Sequence, residues 1–123
     1  MHGIDYQKMS MRTNDRKHKE RLQEACFYSE ADTAQALNGC LGLAGEVGEF
    51  LDMVKKWIFH KKPLDRDHLQ KELGDVLWYA ALICDAFGWD LDVIMAKNVA
   101  KLKDRYPEGF DTEKSAHRKE GDL

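Results

Sequence analysis

The run Leu69-Gln70-Lys71-Glu72-Leu73-Gly74-Asp75-Val76-Leu77-Trp78-Tyr79-Ala80-Ala81-Leu82-Ile83 decides the fold. Placed on a helix at about 100° per residue, Leu69, Leu73, Val76, Leu77, Trp78, Ala80, Leu82, Ile83 and, just beyond, Phe87 cover nearly the whole circumference. A helix that is apolar all round is expected to be buried. Yet Glu72 and Asp75 sit within it, three residues apart and so on one face, with Tyr79 on the same side. Buried carboxylates are costly unless they are paired or bound to metal.

Toward the N-terminus, a long helix is expected near Asp32–His60. Leu43, Val47, Phe50, Leu51, Val54 and Ile58 form its apolar arc. Glu46 lies at the edge of that arc, beside Phe50 and Trp57, and Glu49 follows one turn along. Gly39, Gly42, Gly45 and Gly48 recur at every third position. Each costs a helix about 1 kcal/mol relative to alanine, so the row points to close approach by another helix or by a ligand. It is no phosphate loop, because neither G-x-G-x-x-G nor G-x-x-x-x-G-K-[ST] occurs.

Toward the C-terminus, the helix expected near Asp90–Tyr106 has Leu91, Ile94, Met95, Leu102 and Tyr106 as its inner stripe. Asn98 falls in the middle of the stripe, with Lys101 and Arg105 alongside. A buried Asn needs partners, and two cations beside it suit a polyanion. The competing reading has the cations reaching solvent and Asn98 bonding backbone. Lys55 and Lys56, one to two turns beyond Glu49, are either phosphate contacts or surface residues.

Pro63 and Pro107 fall between or after the periodic segments, as helix punctuation should. No sustained alternation reads as a strand. The expected fold is therefore all-α, a bundle of four to five helices. A short helix is expected near Ile4–Arg12, and Thr13–Glu24 reads as either loop or solvated helix. The expected organisation is a helix and polar insertion over 1–36, a helical domain over 37–111 and a loose tail over 112–123. The glycine-lined and all-round-apolar helices imply a core completed by further copies of the chain.

The chain has 123 residues, one domain's worth, with 43% hydrophobic and 33% charged residues and a net charge of −3. That charge argues against binding to nucleic acid polymers. Residues 37–111 carry ten Lys and Arg against thirteen Asp and Glu, so the whole imbalance lies there. Cys26, Cys40 and Cys84 form no C-x-x-C pair, which makes a disulfide scaffold or a Cys zinc site unexpected and a reducing cytoplasm the natural location. The first thirty residues lack an apolar h-region, so no secretory signal is expected. Thr33–Gly45, the longest uncharged stretch, is too short to cross a bilayer, so no membrane partner is expected.

Glu46 with Glu49, and Glu72 with Asp75, are two acidic pairs at i, i+3. With Pro63 between them, one helix can end and the next run back antiparallel, bringing the pairs together. Four such carboxylates repel, which raises some of their pKa values. A hard divalent cation, Mg²⁺ or Mn²⁺, is the economical solution for oxygen-only ligands. A di-iron carboxylate bundle wants Glu-x-x-His on two helices. Neither pair ends in histidine, and His60 and His68 are off-register, in loop or helix-end positions.

Three segments together carry a family resemblance: Gly42-Leu43-Ala44-Gly45-Glu46-Val47-Gly48-Glu49, Lys71-Glu72-Leu73-Gly74-Asp75-Val76-Leu77-Trp78-Tyr79, and Lys97-Asn98 through Lys101-Leu102 to Arg105-Tyr106-Pro107. Over about residues 37–111 the sequence resembles the MazG-like nucleotide pyrophosphohydrolases of the all-α NTP pyrophosphatase superfamily. Asp5–Thr13 looks like that family's leading helix, and the stretch from Asn14 to about Glu30 looks like an insertion. The resemblance implies hydrolysis of a nucleoside triphosphate to monophosphate and pyrophosphate. It implies that Glu46, Glu49, Glu72 and Asp75 bind Mg²⁺, that Asn98, Lys101 and Arg105 contact the nucleotide, and that Tyr79 lines the base or sugar pocket. It also implies dimers or tetramers with sites near subunit interfaces. One acidic side chain not fully committed to metal, with Glu49 as the candidate, can accept a proton from the attacking water; the sequence does not fix which.

Within the superfamily, a phosphoribosyl-ATP pyrophosphohydrolase and a dUTPase- or dCTPase-type enzyme are the alternatives. Outside it, the alternative is a non-enzymatic helical interaction module, which Mg²⁺ would not stabilise against melting. Tyr79, Trp57 and Phe50 are each either nucleobase-stacking or core residues. The preferred base is not fixed by the sequence.

Overall fold

Asp32 and Asp65 start the two long helices of the computed structural model, which describes residues 1–118 and 121. The Asp32 carboxylate accepts from the Gln35 amide at 2.9 Å and begins α3 (Thr33–Phe59), preceded by α1 (Gly3–Ser10), a 3₁₀ turn (Met11–Thr13) and α2 (His18–Tyr28). The Asp65 carboxylate accepts from the His68 amide at 3.0 Å and begins α4 (Arg66–Phe87). Each cap satisfies an amide that the first turn leaves without a partner. Gly88 ends α4 in the left-handed region at φ 66°, and the Asp90 cap then starts α5 (Leu91–Arg105). A last short helix, α6, spans Thr112–Ala116. The described residues form helices and connections without strands, so the fold is all-α.

The helices expected near Asp32–His60 and Asp90–Tyr106 are α3 and α5, each within one residue of those bounds, and the run Leu69–Ile83 lies inside α4. The ambiguous polar stretch is loop over 14–17 and helical from His18 onward as α2, which is built mostly of good helix formers (Lys19, Glu20, Arg21, Leu22, Gln23, Glu24, Ala25). The tail expected to be loose holds α6, and residues 119, 120, 122 and 123 of that tail lie outside the described residues.

α3 and α4 form an antiparallel hairpin, the one extensive helix–helix contact among the described residues. Its open end is tied by the Asp32 amide donating to the Ala86 carbonyl at 2.9 Å, and by Gln35 Nε2 donating to the Leu82 carbonyl and Asp85 Oδ2 at 3.1 and 2.7 Å. Thr33 Oγ1 donates to the Ala25 carbonyl at 3.1 Å and ties α2 to the start of α3. The register then descends turn by turn. A Cβ at Gly39 would meet Ile83 Cγ1 at 2.6 Å, and one at Gly42 would overlap the Tyr79 ring. These two glycines are therefore packing glycines. Gly42→Ala is expected to destabilise the fold by about 1–2 kcal/mol, because overpacking costs more than the helix propensity gained. A urea midpoint equal to or above wild type would contradict this.

One hairpin does not make a core. Ala36, Cys84 and Ala86 are the buried apolar residues, and no large side chain among the described residues is fully buried. α4, expected to be buried all round, is covered on one side only: Leu77 and Trp78 are 62% and 59% exposed. α5 is likewise open, with Leu91, Met95, Val99 and Leu102 exposed and only Ile94 of its inner helical turns half-covered. The chain's accessible surface is 10480 Å², against about 6,800 Å² for a compact monomer of this mass.

Candidate metal centre

One turn past Gly42 on α3, the hairpin register brings Glu46 against the face of α4 that carries Glu72 and Asp75. One carboxylate oxygen from each of the three lies within 4.8 Å of the others. Oxygens bound to one small dication sit about 3 Å apart when adjacent and about 4.2 Å when opposite, so the three residues fit such an ion after small rotations.

Glu72 is the innermost of them, at 9% exposure. Its Oε1 accepts from His68 Nε2 at 2.8 Å, while its Oε2 is buried with no hydrogen-bond partner. A buried anionic oxygen without a donor costs several kcal/mol unless a proton or cation comes to it. Glu46 responds to the same field. Partial burial, then the negative charges of Glu49, Asp75 and Glu72, push its carboxyl above the usual carboxylate range, and a bond toward Glu72 favours its protonated form.

Glu49 is not in the three-oxygen cluster. It lies one turn on, in an open groove of about 460 Å³ that Glu72 and His68 also line and that runs along Gly45 and Gly48 to Lys56. Lys56 is paired with Asp52 at 2.5 Å, which holds the Asp52 carboxyl below the usual range. A Cβ at Gly45 or Gly48 would meet nothing within 4 Å. The four glycines thus divide into two that admit α4 and two that leave the groove wall bare.

Tyr79 is packed beneath Gly42 and meets Trp78 edge-on, at 5.0 Å between ring centroids. Trp57 is exposed beyond the groove. Asn98, expected inside the bundle, is exposed, and neither it nor Lys101 nor Arg105 lines the groove. Among the described residues α5 does not pack extensively on the α3–α4 hairpin. His68 was legible only as a helix-end residue. Its i, i+4 spacing to Glu72 was the available signal.

The family model described as "MazG nucleotide pyrophosphohydrolase domain" matches residues 35–110. The chain is 33% identical over 94 residues to the "Gene 37 protein" of Mycobacterium phage L5, covering 70% of this chain and 82% of that protein. No solved structure matches the chain. No helix among the described residues is long and apolar enough to cross a membrane.

Proposed function

We propose a reaction from the premise that the chain belongs to the MazG nucleotide pyrophosphohydrolase family: a nucleoside triphosphate is hydrolysed to the monophosphate and pyrophosphate, with Mg²⁺, or Mn²⁺, held by Glu46, Glu72 and Asp75. The observation that carries this is Glu72, whose Oε2 is buried without a hydrogen-bond partner and whose carboxylate clusters with those of Glu46 and Asp75. An all-oxygen donor set suits Mg²⁺ better than zinc or copper. When bound, the metal supplies charge neutralisation on the phosphates and polarises the attacking water.

The chain's own residues do the rest. Glu49, beside the cluster and in the groove, accepts the water's proton as attack proceeds at the α-phosphorus. Gly45 and Gly48 let phosphate groups approach the helix wall. Gly48→Ala is accordingly expected to stabilise the free protein by up to about 1 kcal/mol while raising KM severalfold. An unchanged KM would make these glycines incidental. Lys56 stands at the end of the groove as a further phosphate contact, and Trp57, exposed beyond the groove, and Tyr79, packed against Gly42, are the aromatic groups proposed to meet the base or sugar. In this reading Asn98, Lys101 and Arg105 reach the nucleotide from a second copy, in a dimer or tetramer. Supporting this are the uncovered faces of α4 and α5 and an excess surface on the scale that obligate interfaces bury. The role is nucleotide-pool house-cleaning in the cytoplasm.

A pyrophosphate-release screen over canonical and modified NTPs and dNTPs, with Mg²⁺, Mn²⁺ or EDTA, tests the proposal. Turnover of at least one nucleotide that EDTA abolishes is expected, and no turnover of any would refute it.

Glu46 makes metal binding depend on pH. Its raised pKa means that ionisation is disfavoured in the folded, metal-free protein. That protein therefore loses stability as pH rises from the ordinary value of 4.5 through the raised one. Metal requires the ionised form and restores what is lost. The Mg²⁺-induced rise in Tm is expected to grow from about pH 4 to pH 8, and to grow less in Glu46→Gln. A rise independent of pH would contradict this.

A further inference from the structure

We infer that His68 is a positioning residue for the metal centre: its Nε2–H holds Glu72 Oε1 and leaves the buried, unpartnered Oε2 free to take a cation. This rests on the metal-binding reading above, and three observations carry it.

The bond is 2.8 Å long and falls on the least exposed carboxylate of the cluster. Against an ionised carboxylate, which only accepts, Nε2 must carry the proton. The backbone of the histidine is held, because its amide donates to the Asp65 cap at 3.0 Å, which places His68 in the first turn of α4 one turn before Glu72. The neighbouring cation is engaged elsewhere: Lys71 Nζ pairs with Asp67 at 2.7 Å.

The choice of imidazole has a physical reason. A carboxylate on a flexible side chain can swing to solvent or turn its plane away from a metal. A donor on one oxygen holds that plane and leaves the other oxygen free. A lysine in the same place would bring a permanent charge that competes with the metal for the carboxylate, on a longer and more flexible stem than that of an imidazole. Outer-shell partners of metal ligands commonly change affinity by 10–100-fold when removed.

The test is Mn²⁺ binding, followed by the electron paramagnetic resonance signal of free Mn²⁺, for wild type, Glu72→Gln, His68→Ala and His68→Gln. His68 is largely exposed, so both of its variants should fold, and circular dichroism checks this. His68→Ala is expected to weaken Mn²⁺ binding by about 10–100-fold. His68→Gln places an amide N–H near the position of Nε2 and is expected to recover most of that loss. If wild type binds no Mn²⁺, the metal reading itself fails. If wild type binds and Glu72→Gln does not, the metal reading stands. The inference about His68 is then overturned by His68→Ala binding as tightly as wild type, or by His68→Gln binding no better than His68→Ala.

Discussion

Replacing Glu72 by Gln is expected to lower metal-dependent pyrophosphate release by on the order of a thousandfold or more while leaving the helical fold intact. The substitution keeps the shape of the side chain, and its amide oxygen can still accept from His68. What disappears is one negative charge at the most enclosed point of the cluster, where Oε2 has no other partner. Losing a metal ligand costs several kcal/mol of transition-state stabilisation, and each 1.36 kcal/mol is about tenfold in rate.

The same change has a signature in stability. Without metal, the wild-type chain holds a buried carboxylate that repels Glu46 and Asp75, so Glu72→Gln should melt at or above the wild-type temperature in EDTA. With Mg²⁺ the order reverses, because wild type gains from binding and the variant does not. Asp75→Asn and Glu49→Gln are expected to be inactive as well, but Glu49→Gln should retain metal binding, since Glu49 stands outside the three-oxygen cluster. Full activity in Glu72→Gln, measured as pyrophosphate released, would remove the basis for a metal centre here.

The second large effect is complementation between subunits. Chains carrying Glu72→Gln and chains carrying Arg105→Ala should each be nearly inactive alone. Unfolded together and refolded, they should recover about a quarter of the wild-type rate, the share of sites that combine an intact acidic face with an intact α5 on random pairing. The expectation follows from α5 lying off the groove of its own chain while carrying Asn98, Lys101 and Arg105. Mixtures that stay inactive would mean that each chain builds its whole site. Light scattering showing only a 14.2 kDa species would mean the same.

Much of the fold was legible because helical periodicity is a local property. Asp32 and Asp90 start helices where the sequence places them, Pro63 breaks the chain, and the distance between the acidic pairs suffices for a turn back. The pairing of Glu46 with Glu72 and Asp75 followed from the same spacing.

What depends on the partner helix was not legible. Gly39, Gly42, Gly45 and Gly48 repeat identically in sequence, yet only the first two face bulky groups of α4, Ile83 and Tyr79. Glu49 shares a side with Glu46, but a step of three residues falls about 60° short of a full turn, and Glu49 looks into the groove and not at the cluster. Asn98 was expected inside a bundle and is exposed, because α5 does not pack extensively on the α3–α4 hairpin. His68 reads in the sequence as a loop or helix-end residue, because a Glu-x-x-His pattern places histidine after the glutamate, and here it precedes Glu72 by four residues.

The proposed reaction cleaves a nucleoside triphosphate between its α- and β-phosphates with a metal at Glu46, Glu72 and Asp75. It is tested by hydrolysis of the best nucleotide in ¹⁸O-labelled water with Mg²⁺, read by mass spectrometry of both products. Equal amounts of monophosphate and pyrophosphate are expected, with one ¹⁸O in the monophosphate and none in the pyrophosphate, and no reaction in Glu72→Gln. Release of inorganic phosphate with a diphosphate, label in the pyrophosphate, or undiminished turnover in Glu72→Gln would contradict it.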